Sequence, residues 1–192
     1  MKLILASGSP YRKMMLQRLG LPFEVFAADI DESQRIGESP EALSLRLAHA
    51  KAQYVAKKHP DALVIGSDQV AALDQHVLGK PGDHATAVAQ LRQMSGQTVH
   101  FHTALCVSHQ EQCQERLVQI KCRFRQLNDA EIEFYLTTEQ PYDTAGSAKA
   151  ESLGISLLES MHSDDPTAII GLPLIALTDL LRHFGLNPLQ PA

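Results

Sequence analysis

Cysteine is scarce. The chain has three, Cys106, Cys113 and Cys122, an odd count with no C-x-x-C pair. That argues against a disulfide framework and against a thiolate zinc site, and it fits a reducing, cytoplasmic setting. Long apolar runs are missing too. Leu3 to Ala6 is too short for the core of a signal peptide. The longest apolar stretch, Ala168 to Leu177, holds Gly171 and Pro173 and is too short to cross a bilayer, so no membrane partner is expected. Positive charge is not in excess. Lys and Arg number 17 against 22 Asp and Glu, a net charge of -5 with a pI near 6.0. Counterion release on a polyanion needs a positive surface, so a nucleic-acid polymer is not the expected partner, although a local basic pocket stays open. Three catalytic signatures are also absent. There is no G-x-x-x-x-G-K-[ST] loop, no G-x-S-x-G elbow and, among 9 histidines, no H-E-x-x-H.

What is present suits a folded domain. The chain is 44% hydrophobic and 20% charged over 192 residues, which excludes global disorder and fits one domain, or one plus a small lobe. Lys2 to Ala6 reads as a buried strand, followed by a small-residue turn, Ser7-Gly8-Ser9. A helix then runs from Pro10 to Leu19, with Ser9 as N-cap and Gly20 as its stop. A second helix starts at Pro40, with Leu43, Leu47, Ala50 and Tyr54 on its apolar face. Ala62 to Gly66 is a strand, broken at Ser67 and Asp68 and resumed from Gln69 to Leu73. Asp83 caps a helix ending near Gly96. Thr98 to Ser108 and Leu117 to Arg125 alternate as strands, with the polar Gln110 to Glu115 as a hairpin loop between them. Asn128 and Glu131 form a capping box for a helix through Tyr135. Gly154 to Leu158 is a late strand, and Leu174 to Phe184 a last helix. The pattern predicts an α/β fold with a mixed sheet and helices on both faces.

Several residues carry chemistry. The strand-turn-helix through Ser7-Gly8-Ser9-Pro10-Tyr11-Arg12 exposes backbone N–H groups at a helix start, where anions bind. Arg12 in that first turn opposes the helix dipole by about 0.3–1 kcal/mol, and a bound phosphate would reverse the sign. The plain alternative is an ordinary turn with Arg12 in solvent. Asp68, just past a buried strand, stands where open α/β sheets place ligands, or is a strand-end cap. Lys51 lies beside Leu47 and either snorkels or enters a site. Lys80, within Gly79-Lys80-Pro81, is a further cation. Asp29, Asp31 and Glu32 are either a solvated acidic loop or the source of an oxygen ligand beside Asp68. His100 and His102 share a strand face and are expected at the surface. Asp164-Asp165-Pro166 reads as the start of a segment.

In order and spacing the chain resembles the Maf family of nucleoside triphosphate pyrophosphatases along nearly its whole length. The matching pieces are Ser7-Gly8-Ser9-Pro10-Tyr11-Arg12, Asp31-Glu32, Lys51, Gly66-Ser67-Asp68-Gln69-Val70, Gly79-Lys80-Pro81, Ala145-Gly146-Ser147 and Ile170-Gly171-Leu172-Pro173-Leu174. The resemblance implies an elongated, twisted mixed sheet flanked by helices and related to the inosine triphosphate pyrophosphatases. It implies one domain over 1–192, with room for two lobes around a central cleft. It also implies Mg²⁺- or Mn²⁺-dependent cleavage between the α and β phosphates. By position Asp68 corresponds to the catalytic aspartate, and Ser7, Arg12, Lys51 and Lys80 to phosphate-binding positions. Glu32 would join Asp68 as metal ligand.

The resemblance also points to a branch. Family members that act on dTTP and UTP carry S-x-S-P-R-R near the start and Ala-Asp-Thr around the catalytic aspartate. Here Tyr11, Gln69 and Glu151 stand at the differing positions, a set similar to the branch that acts on 7-methyl-GTP. A 7-methylguanine ring is cationic, and an aromatic face attracts it by about 0.5–2 kcal/mol. A carboxylate at Glu151 would accept from the guanine N1 and N2 donors and counter the charge. Two alternatives stay open: a pyrophosphatase for pyrimidine or other modified nucleotides, and a non-catalytic nucleotide sensor tied to cell division. A homodimer is a further expectation, and the strand face at Lys121, Arg123 and Arg125 is either solvated or a surface for another subunit.

Overall fold

The computed structural model describes residues 1–190. Strand β1 (Leu3–Leu5) is wholly buried and lies parallel to β2 (Glu24–Val25) on one side and β3 (Leu63–Leu73) on the other. Helix α1 (Pro10–Gln17) starts where the Ser9 hydroxyl accepts from the Arg12 N–H, and Pro10 presets the first helical φ. Helix α2 (Pro40–Ala56) repeats the device with Ser39. Then follow β4 (His76–Leu78), α3 (His84–Met94) capped by Asp83, and the long hairpin of β5 (Thr98–His109) and β6 (Gln112–Phe124). Helix α4 (Asp129–Glu139) carries the full capping box of Asn128 and Glu131. Strand β7 (Leu158–His162) and helix α5 (Leu174–His183) complete the order. The seven-stranded sheet runs β2-β1-β3-β5-β6-β7, with β4 also on β3. It is mixed, as the sequence predicts.

Helices flank both faces because the strand side chains alternate. Ile4, Val64, Ala104 and Cys106 meet Ala48, Ala52 and Val55 of α2. Leu3, Leu5, Leu63 and Ile65 point the other way, onto Met15 and Leu16 of α1 and Leu177 and Leu181 of α5. A separate core at the far end of the long strands joins Leu91 and Met94 of α3 and Ile132 and Leu136 of α4 to Phe101, Ile120 and Phe124. Each fully buried Leu, Ile or Phe contributes about 1.5–3 kcal/mol.

One feature of the sheet makes room for a site. Strand β5 covers one edge of β3 from Val64 to Ala72. The other edge is shared: β1 pairs with Leu63 to Ile65, and β4 with Ala71 to Leu73. Between them, residues 66–70 have no strand on that side among the described residues. Gly66 opens the gap. A Cβ there would lie 2.2 Å from the Ala48 carbonyl oxygen, so α2 crosses β3 more closely than a side chain allows.

Several expectations need correction. Strand β3 does not break at Ser67 and Asp68; their backbones pair with Leu105 and Ala104, and ladder bonds do not depend on side-chain polarity. The hairpin loop is not Gln110 to Glu115. His109 already pairs with Gln112, Gln110 takes φ 54, and the polar run is strand. The buried face of α2 is Leu43, Leu47, Ala48, Lys51, Ala52 and Val55, rotated away from Ala50 and Tyr54. Leu153–Leu157 is a 3-10 turn rather than a strand, since Gly154 packs against the Lys149 backbone. His102 is 1% exposed, sealed between neighbouring strands.

Candidate active site

The gap in β3 lies at the wall of a cavity of about 600 Å³, a volume in the range of small-molecule sites. Ser7, Tyr11, Arg12, Glu32, Lys51, Asp68, Gln69, Lys80 and Glu151 all line it. Asp68, Gln69 and Val70 are consecutive in one strand, so the cavity wraps the uncovered edge and meets both faces.

Lys51 does not snorkel. Its ammonium is buried, 2.6 Å from Asp68 Oδ1 and 2.6 Å from Glu32 Oε1. Burial raises the Glu32 carboxyl, but the hydrogen bond and charge of Lys51, with Lys80 and Arg12 further off, win and hold it below its ordinary value. Asp68 Oδ2 has no hydrogen-bond partner among the described residues, which leaves it free to accept from water. The two carboxylates converge on one cationic point and offer hard oxygen donors. That donor set fits Mg²⁺ or Mn²⁺.

Arg12 is fixed from behind. Its Nε donates to the Gly171 carbonyl at 2.9 Å and its Nη1 to Ser7 Oγ at 3.3 Å. Desolvation lowers its pKa and the Asp68 and Glu32 charges raise it in part; a guanidinium stays charged regardless. Ser7 Oγ also accepts from the Ser9 N–H at 3.2 Å, which tightens the turn. The first turn of α1 holds no acidic residue, so nothing in the helix itself offsets Arg12 or the dipole. Neither Arg12 nor Lys80 makes an ion pair among the described residues. Lys80 is exposed on the loop after β4, where Gly79 O accepts from Gln90 Nε2 and from the Gly146 N–H. Gly146 turns at φ 68 in the 3-10 segment Ala145–Ser147.

Tyr11 is half-buried at the start of α1. The Gln69 amide NH₂ is bound by Thr103 Oγ1 at 2.9 Å, Ala168 O at 2.8 Å and Ile169 O at 3.2 Å, which ties β3 to the turn before Gly171. The Glu151 carboxyl is raised, by partial burial first and then by Glu139 and Asp143; its own backbone N–H and Lys149 oppose the shift. Asp29 and Asp31 stay out of the cavity lining, and Asp31 instead accepts from the Ser33 N–H.

Sequence reasoning missed two supports. Gly171, at φ 98, accepts from both Arg12 and Ser67 Oγ through one carbonyl. Asp165 does more than begin a segment. It is 2% exposed, accepts from Thr167 N–H, and with Oδ2 accepts from the Ile175 and Ala176 N–H groups. It thereby caps α5, whose own N-cap residue, Pro173, has no side-chain acceptor. That missing cap was the available signal.

A family model described as "Maf-like protein" matches residues 2–184. A protein of Bordetella avium (strain 197N) named 7-methyl-GTP pyrophosphatase is 60% identical over 189 residues, 98% of this chain and 96% of that one. Proteins of the same name from Bordetella pertussis (strain Tohama I) and Albidiferax ferrireducens (strain T118) are each 56% identical. They cover 98% of this chain and 94% and 96% of their own lengths. The solved Ham1 protein of Staphylococcus aureus aligns with a TM-score of 0.45 and 11% identity, over 66% of this chain and 73% of that one, a likeness too slight to build on. On the match over 2–184 and the full-length identities, the chain belongs to the Maf family.

Proposed function

We propose that this protein is a nucleoside triphosphate pyrophosphatase that hydrolyses 7-methyl-GTP to 7-methyl-GMP and pyrophosphate. The observation that carries the reading is the convergence of Asp68, Glu32, Arg12, Lys51 and Lys80 on one cavity, in a chain whose 56–60% identical relatives bear that name. A pure anion binder has little use for two carboxylates beside its phosphate cations.

In the proposed reaction a water attacks the α-phosphorus, and the bond from that phosphorus to the bridging oxygen breaks. Pyrophosphate leaves with the bond electrons. Asp68 orients the water through Oδ2 and accepts its proton. Lys51 holds Asp68 in place and adds positive charge next to the phosphates. Arg12, braced by Gly171, and Lys80 bind the β and γ phosphates, where charge builds as pyrophosphate departs. Ser7 and the N–H groups at the start of α1 line the phosphate path. Glu32 and Asp68 would hold Mg²⁺ or Mn²⁺, which when bound supplies Lewis-acid polarisation of the phosphate. Tyr11 stacks on the methylated base, the Gln69 carbonyl oxygen accepts from it, and Glu151 pairs with its N1 and N2 donors.

On this reading residues 1–192 act as one domain, with two lobes around the cleft. The substrate is a free nucleotide rather than a polymer. No helix among the described residues is long and apolar enough to cross a membrane. Three free cysteines suit the cytoplasm. A second copy would sit against the outer face of β6 at Lys121 and Arg123.

The test is a nucleotide panel of 7-methyl-GTP, GTP, dTTP and UTP with Mg²⁺ or Mn²⁺, reading monophosphate and pyrophosphate. The highest kcat/KM is expected for 7-methyl-GTP, and excess chelator should abolish it. Binding without turnover across the panel would mark a sensor, and a preference for dTTP or UTP would move the protein to the pyrimidine branch.

A further inference from the structure

A second group of ligand-type side chains lies away from the phosphate cations. His49, Cys106, Cys113 and Glu115 place one ligand atom each within 4.8 Å of one another. The hairpin register brings the last three together. Cys106 on β5 pairs with Glu115 on β6, and Cys113 lies two residues from Glu115 on the same face. Helix α2 packs over that face and supplies His49.

The four ligand atoms crowd one another closely. His49 Nδ1 lies 2.6 Å from Glu115 Oε1 and 3.7 Å from Cys113 Sγ. A single ring nitrogen faces both a carboxylate oxygen and a sulfur, with the buried Cys106 thiol beside them. One cation at the centre would serve all four. Two sulfurs, one imidazole nitrogen and one carboxylate oxygen make a soft, mixed donor set. That set suits tetrahedral Zn²⁺ and is wrong for Mg²⁺. His49 and Glu115 are partly exposed, which leaves an entry path.

We propose that His49, Cys106, Cys113 and Glu115 form a structural zinc site that clamps α2 to the β5–β6 hairpin. All four positions come from protein, so the site is closed, as structural zinc sites are. It overrides the expectation from cysteine spacing, because three of the ligands meet across the hairpin and the fourth arrives from a helix. The clamp would also steady the catalytic wall. His49 is two residues from Lys51, and Cys106 is two residues from Ala104, the partner of Asp68. The site does not depend on which nucleotide the cavity takes.

The test uses the full chain, purified with a reductant and stripped of metal, titrated with Co²⁺ as a visible stand-in and then with Zn²⁺. One equivalent of Co²⁺ should produce a thiolate-to-cobalt charge-transfer band and the visible bands of tetrahedral cobalt. One equivalent of Zn²⁺ should erase both, while excess Mg²⁺ leaves them. Cys113→Ser and His49→Ala, both at partly exposed positions, should each weaken zinc by more than the 10–100-fold that loss of an outer-shell partner costs. Cys122→Ala, in the other core, should keep the wild-type band. Zinc should also shield Cys113 from alkylation until a chelator is added. The absence of a charge-transfer band in folded, reduced protein overturns the proposal. So does a band that survives unchanged in both Cys113→Ser and His49→Ala.

Discussion

The Lys51 ammonium lies 2.6 Å from Asp68 Oδ1 in a pair whose side chains are 8% and 10% exposed. Such a pair is held by geometry rather than by net energy, because desolvation cancels most of the Coulombic attraction. Gly66 makes the geometry. It lets α2 approach β3 closely enough for a helix lysine to reach a strand carboxylate.

Removing one partner therefore costs far more than the pair contributes. Lys51→Met should destabilise the protein by about 3–5 kcal/mol at neutral pH, since Asp68 is left buried and unpaired. Urea unfolding at pH 7 measures the loss, and a variant as stable as wild type would contradict the account.

Asp68→Asn keeps the shape and removes the proton acceptor. Turnover should fall by about 10²–10⁴-fold with the far-ultraviolet circular dichroism unchanged. Pyrophosphate release near the wild-type rate would take Asp68 out of the mechanism.

Selectivity should depend on pH through Glu151. Burial raises this carboxyl, so its negative charge is lost at a higher pH than for an ordinary glutamate. The preference for 7-methyl-GTP over dTTP should be full above that raised value and decline as pH falls through it. Glu151→Gln should show a lower ratio of kcat/KM above that raised value, with no such decline below it. A ratio in the variant equal to wild type would exclude the residue from base selection.

His102 gives a separate pH effect on stability. Desolvation lowers its pKa from 6.5, with Glu41 opposing and His100 assisting. The unfolded chain thus binds more protons than the folded one just below pH 6.5, so stability rises with pH there. Acidification from pH 6.5 should lower the melting temperature, down through the depressed folded value. His102→Gln should flatten that slope across the same window. An unchanged slope would assign the acid sensitivity to other groups.

Much of this was legible in the chain. Ser9-Pro10, Ser39-Pro40, Asp83 and the Asn128–Glu131 box mark their helices because capping is local chemistry, decided within one turn. The alternation in β6 from Val118 to Phe124 gives its buried face for the same reason. Where the reading failed, local signals met nonlocal pairing. Ser67 and Asp68 look like a break, yet β5 pairs with them. Gln110 to Glu115 look like a loop, yet β6 needs only backbone to pair.

By itself the sequence determined the capped helices, the strand faces and the residue types gathered for phosphate chemistry, since each depends on near neighbours. Only tertiary structure decided that Lys51 faces Asp68 and not solvent. It alone braced Arg12 on Gly171, used Asp165 to cap α5, and brought two cysteines to a histidine from another element. Those contacts join residues far apart in the chain, and their spacing is set by sheet register and helix packing, which no local pattern encodes.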